Sequence, residues 1–99
     1  MNQAEQDLLV LDAQCGDQQA FGLLFKFYHK ALVGFAFKLT SNKELANDGV
    51  QDAWMKAAKN IRRLKDPRAF KSWIYRLVRW RVLDLLRKQS RENGQLEEF

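Results

Sequence analysis

Apolar side chains recur along this chain at intervals of three and four, the spacing of one face of an α-helix. Four stretches carry the pattern. In the first, Asn2 with Glu5 three residues later resembles a capping box, and Leu8, Leu11 and Cys15 mark an inner face that Gly16 closes. Asp17 fits the next N-cap, and a second helix is expected over residues 18–39. Its seam is Phe21, Phe25, Tyr28, Leu32, Phe35 and Leu39. Its five phenylalanines read mostly as core, and His29, off the seam, reads as a surface residue. Ser41 and Glu44 form an S-x-x-E box before a third helix over residues 42–64. Ala46, Val50, Ala53, Ala57, Ile61 and Leu64 line its inner face, with Trp54 at the edge.

The fourth stretch, residues 66–91, opens with Asp-Pro: aspartate as N-cap, proline as first helical residue. Phe70, Ile74, Leu77, Val78, Val82 and Leu85 form its apolar stripe. Ser72, Arg76, Arg79, Leu83 and Arg87 fall on the far side, and Trp73 and Trp80 sit on the shoulder between. No β pattern or internal repeat is visible. The fold class expected is all-α, a compact bundle of four helices, one short and three longer. Residues 1–91 form the domain; 92–99, with Asn-Gly and no periodicity, read as a tail or the start of an interdomain linker.

Composition sharpens this picture at a few points. A chain of 99 residues suits one domain, and an apolar content of 46% suits a globular one. No continuous apolar run nears the ~20 residues of a membrane span; membrane insertion is not expected. No basic-then-apolar leader opens the chain. Cys15 is the single cysteine, expected to be a small buried residue in a reducing cytoplasm.

Charge is unevenly spread. Residues 1–55 hold four bases and seven acids, residues 56–91 thirteen bases and two acids, and residues 92–99 three acids. The basic segment is a footprint for a polyanion. Nucleic acid is favoured over a lipid surface because the indoles lie beside the arginines, not on a separate greasy face. Guanidinium groups suit phosphates and base edges, and aromatic planes suit unstacked bases. The exposed stripe of the third helix carries Asp48, Gln51, Asp52, Met55, Lys59 and Arg62. It is acidic and polar at its start and basic at its end, as if two partners met along one helix. An ordinary solvated face would instead show an i,i+4 ion pair between Asp52 and Lys56. Catalytic motifs, Gly-rich phosphate loops and metal-spaced Cys/His sets are missing, so an enzyme is disfavoured and no cofactor is expected.

The segment LANDGVQDAWMKAAKNIRRLKDPRAFKSWIYRLVRWRVLDLL, residues 45–86, resembles region 2 of bacterial RNA polymerase sigma factors, in particular the extracytoplasmic-function (ECF) group. The ordered motifs are A-x-D-x-V-Q-D-x-W, F-x-S-W-I-Y-R and L-D-x-L-R. The preceding AFGLLFKFYHKALVGFAFKLTSNKELA is similar to that group's first conserved block.

The resemblance implies a transcription initiation factor domain that binds core RNA polymerase and recognises and melts the promoter −10 element. Asp48, Gln51, Asp52 and Met55 would meet the clamp helices of the polymerase largest subunit. The loop 65–70, with Lys65 and Arg68, would capture a flipped base. Trp73 would prop the strand-separation fork, and Arg76 and Arg79 would read the upstream duplex. Lys56, Lys59, Arg62, Arg63, Lys71 and Arg81 would contact phosphates, with Trp80 beside them. An anti-sigma factor is the implied regulatory partner. Gly49, where the family commonly has leucine, would cost ~1 kcal/mol of helix propensity and a contact. Nothing after Arg91 resembles the helix-turn-helix that reads the −35 element, so the chain is either a domain of a longer protein or a natural region-2-only protein; the first is favoured because ENGQLEEF resembles the opening of the acidic interdomain linker. Two other readings are a polymerase- or anti-sigma-binding module without promoter DNA activity, and a nonspecific basic DNA-binding bundle.

Overall fold

The computed structural model describes residues 1–92. It contains four helices: α1 (Gln3–Gln14), α2 (Gln18–Thr40), α3 (Lys43–Asn60) and α4 (Phe70–Glu92). Two 3-10 turns, Ile61–Arg63 and Pro67–Ala69, join α3 to α4. The all-α bundle is as expected. Apart from Glu92, the expected tail lies outside the described residues.

Side-chain caps set the helix starts. Asn2 Oδ1 accepts from the Glu5 amide at 2.8 Å, and Asp17 Oδ1 from the Gln19 and Ala20 amides at 2.9 and 3.2 Å. At α3 the cap is Asn42, not Ser41: its Oδ1 accepts from the Glu44 and Leu45 amides at 2.9 and 3.1 Å. Ser41 instead ends α2 at φ +53°, donating its amide to the Phe37 carbonyl at 2.8 Å. Each cap satisfies helix-end amides and is worth about 1 kcal/mol. Gly16, at φ +97°, supplies the left-handed turn between α1 and α2.

Two expected inner faces are rotated. In α1 the buried residues are Gln6, Val10 and Ala13; Leu8, Leu11 and Cys15 face outward. Gln6 lies inside because its amide meets the Tyr28 phenol, and burial pushes that phenol above its ordinary pKa. A buried hydroxyl needs a polar neighbour, and periodicity does not count glutamine as core. In α2 the buried stripe is Ala20, Leu24, Tyr28, Leu32 and Ala36. The small residues at its ends let α1 and α3 approach, and the bulky rings move to the flanks. None of the five phenylalanines is fully buried, and Phe25, Phe27 and Phe37 are exposed. With 23 residues and a mean hydropathy of 1.2 over its most apolar window, α2 is long and apolar enough to cross a membrane by length and composition alone. Here it packs against α1, α3 and α4.

The inner faces of α3 and α4 are as expected, with Leu64, Leu77 and Leu85 only half-buried and Trp54 4% exposed, not at the edge. Gly49 is buried at the crossing of the two helices. A Cβ built there would lie 2.5 Å from Val82 Cγ2. Glycine therefore does not forgo a contact; it admits α4 to a distance that a side chain would forbid. Gly49→Ala should destabilise the fold by about 1–3 kcal/mol despite its better helix propensity, as read by urea denaturation. In a Val82→Ala background the same change should be neutral or stabilising.

Candidate functional site

The outward stripe of α3 is open at Asp48, Gln51 and Met55, and Asp52 is half-buried. Asp52 does not pair with Lys56. Its Oδ2 accepts from Arg81 Nε of α4 at 2.8 Å. Arg81 Nη1 also donates to Asp84 Oδ2 at 2.8 Å, and Lys88 Nζ lies 3.6 Å from that same oxygen. The hydrogen bond to Asp52 is the largest influence raising the Arg81 guanidinium above its ordinary pKa. Arg81 was expected to contact phosphate; in this structure it joins α3 to α4.

The connection between those helices is short and closely held. Asp66 Oδ1 accepts from the Arg68 amide at 2.9 Å, capping the second 3-10 turn. The Arg68 guanidinium then closes a fork on the same carboxylate at 3.1 and 3.0 Å. Those bonds hold the Asp66 carboxyl below its usual range. Its contribution is thus present in full above the ordinary aspartate pKa and is lost as pH falls through the lowered one. Two carbonyls of the connection, Ile61 and Leu64, receive the Gln14 side-chain amide of α1 at 2.9 and 2.7 Å. Gln14 escaped the sequence reading because helical periodicity treats it as an ordinary polar position.

Along α4, Arg76 and Arg79 are exposed, Trp73 is half-buried and Trp80 is 62% exposed. At about 100° per residue, Trp73, Arg76 and Arg79 fan across about 120° of the helix. The other candidate residues fall in three places. Lys56, Trp80, Arg81 and Arg87 line a groove of about 300 Å³ between α3 and α4, together with Asp52, Leu77 and Asp84. Arg68 and Lys71 instead border a separate hollow of about 360 Å³ with Gln3, Ser72 and Tyr75. Lys59, Arg63 and Lys65 are exposed near the connection, and Arg62 reaches over the α1–α2 turn at Gly16. Arg87 is a groove residue absent from the sequence-derived set, although its place on the basic face of α4 was legible.

Trp73 is backed by a chain of rings. Its centroid is 5.9 Å from Phe70, which lies 6.5 Å from Trp54; Trp54 meets Phe25 at 5.1 Å and Phe21 at 5.8 Å. His29 stacks on Phe25 at 4.5 Å and is half-buried, not on the surface as expected. The buried His29 Nδ1 and Trp54 Nε1 meet no hydrogen-bond partner among the described residues. Offset and edge contacts of this kind stiffen the indole from beneath. Among the described residues no cluster of acids, histidine and cysteine could hold a metal ion.

The family model described as Sigma-70 region 2 matches residues 24–92. A probable RNA polymerase sigma factor of Haemophilus influenzae is 35% identical over 60 residues, 61% of this chain and 31% of its own length. The RNA polymerase sigma-H factor of Pseudomonas aeruginosa is 30% identical over 78 residues, covering 79% of this chain and 40% of that protein. The ECF RNA polymerase sigma factor SigW of Bacillus subtilis is 30% identical over 75 residues, 76% of this chain and 40% of its own. The chain thus spans about a third to two-fifths of the length of these relatives. No solved structure matches it.

The brace from α1 to the connection yields a measurable expectation. Gln14→Ala removes two hydrogen bonds and should lower stability by about 1–3 kcal/mol. Hydrogen exchange should show faster amide exchange at residues 61–66 in the variant, with the centre of α2 unchanged.

Proposed function

The chain belongs to the Sigma-70 region 2 family, and on that premise we propose that it is the ECF-type domain of a transcription initiation factor that docks on core RNA polymerase and opens promoter DNA at the −10 element. One observation carries this reading: an acid-amide stripe on α3 and a cation-indole surface on α4 lie side by side, joined by a braced connection. Asp48, Gln51 and Asp52 offer acceptors to basic side chains of the clamp helices, and Met55, 56% exposed, offers an adaptable apolar contact.

The DNA-facing part follows from what melting costs. Separating strands breaks stacking and pairing, so the protein must supply substitutes. In this reading the connection 65–70 takes the flipped base, and Trp73 covers the last intact pair. Arg76 and Arg79 face the duplex upstream. Lys56, Lys59, Arg62, Arg63 and Lys71 supply positive charge along the strands, and Trp80 offers a second aromatic plane. Arg68 is part of the same surface once its exposed fork to Asp66 opens, at little cost, because solvent screens the pair. Arg81 belongs here only if it leaves Asp52. The domain is a binding factor without catalysis. It works where RNA polymerase is, in the cytoplasm, and an anti-sigma factor covering these surfaces would regulate it.

Two measurements test the proposal. Asp52→Arg and Gln51→Ala should abolish or sharply weaken core polymerase binding while helical circular dichroism is retained. Trp73→Ala should weaken binding to a fork-junction −10 probe by ~1–3 kcal/mol, and Arg76→Ala should weaken it as well. Normal core affinity in a folded Asp52→Arg variant would sink the polymerase half. Core binding without any fork binding would leave an interaction module.

A further inference from the structure

The groove between α3 and α4 mixes charges that the two proposed surfaces would each claim. Asp52 belongs to the polymerase-facing stripe. Lys56, Trp80 and Arg87 belong to the basic side, and all four line one groove of about 300 Å³. Arg81 sits among them with both of its bonded nitrogens committed to acids, Nε to Asp52 and Nη1 to Asp84, each at 2.8 Å. Neither bond is deeply shielded: the side chains are 35% exposed for Arg81, 42% for Asp52 and 38% for Asp84. Ion pairs at that exposure exchange partners readily, because solvent screens them. Asp52 is also the one member of the α3 stripe held by an intramolecular cation; Asp48 and Gln51 take part in no side-chain bond among the described residues.

We infer that Arg81 is a positioning residue shared by the two surfaces. In the free domain it neutralises and orients Asp52. When a basic side chain of the polymerase takes Asp52, Arg81 Nε is freed and, with Nη1 still on Asp84, turns to the groove beside Trp80, Lys56 and Arg87, where it adds one contact to a nucleic-acid phosphate. Loss of the Asp52 counter-charge also leaves the groove more positive. Docking on polymerase therefore strengthens DNA binding. By thermodynamic reciprocity, DNA on α4 strengthens docking by the same factor. The coupling needs no movement of a helix, only an exchange of partners by one side chain. It rests on the reading that α3 meets the polymerase and α4 meets DNA.

Asp52→Asn imitates capture of the carboxylate without adding a partner. The 99-residue chain is titrated with a fluorescein-labelled single-stranded oligodeoxynucleotide at several salt concentrations. Asp52→Asn should bind about two- to fivefold tighter than the unaltered chain, the range for release of one screened ion pair. Its salt dependence should steepen by about 0.7 in log–log slope, the signature of one more phosphate contact on a single strand. Both gains should vanish in Asp52→Asn/Arg81→Gln. Glu44→Gln, which removes an exposed acid of the same helix, should leave the slope unchanged. Asp84→Asn, which frees the other anchor, should shift affinity in the same direction and keeps the test decisive if Asp52→Asn loses its helical signal. Unchanged affinity in Asp52→Asn, a gain that survives loss of Arg81, or an equal slope change in Glu44→Gln overturns the inference and leaves the proposed function standing. Absence of DNA binding in every folded variant overturns both together.

Discussion

The contact on which this structure turns is the meeting of Gly49 with Val82. A bare Cα on α3 lets the β-branched side chain of α4 press against backbone, in a space that no Cβ can enter. The rest of the α3 inner face is built to the same scale, with Ala46, Ala53 and Ala57 buried around it. Small residues on one helix and valines on the other, Val78 and Val82, bring the axes close and leave little freedom in their angle. The candidate side chains project from this pair of helices and the short connection between them, so their spacing is inherited largely from that one close approach.

Its first consequence is electrostatic. Two helices held this near place the acids of α3 within hydrogen-bonding reach of the arginines of α4, and Asp52 and Arg81 meet at 2.8 Å. The acid proposed to meet the polymerase and the cation proposed to meet phosphate are then not independent surfaces. Nearer the start of α4, Trp73 leans on Phe70, which in turn meets Trp54, and not on an ion pair. The same seam thus holds its charged end loosely and its aromatic end stiffly. That contrast fits the roles proposed for the two residues, a ring that props the fork and a guanidinium that changes partners.

Much of this was legible in the amino-acid order. Helix number and the buried faces of α3 and α4 follow from apolar spacing, because each buries an apolar stripe at regular helical intervals. The first two helices were harder. In α1 a polar Gln6 goes inside to serve Tyr28, and Leu8 and Leu11 face out; hydropathy ranks these residues the other way. In α2 the rings follow a seam one step from the buried one, because Ala20 and Ala36 fit between helices where phenylalanine does not. Long-range polar contacts left no periodic trace at all. Asp52 has Lys56 at helical spacing but pairs with Arg81, twenty-nine positions away, and Gln14 bonds carbonyls forty-seven and fifty positions on. The Ser41 box misled by one residue since Asn42 offers an equally good acceptor, and the left-handed turn at Ser41 decides between them.

The Gln14 brace has a bearing on where the autonomous unit begins. The segment that matches the family starts at residue 24, yet the carbonyls of the α3–α4 connection are satisfied from residue 14, and Val10 and Ala13 lie in the core. A fragment trimmed to the matched segment would keep the three ordered motifs and lose the strut behind the α3–α4 connection. Family match and mechanical completeness thus have different borders in this domain, and α1 is the scaffolding between them.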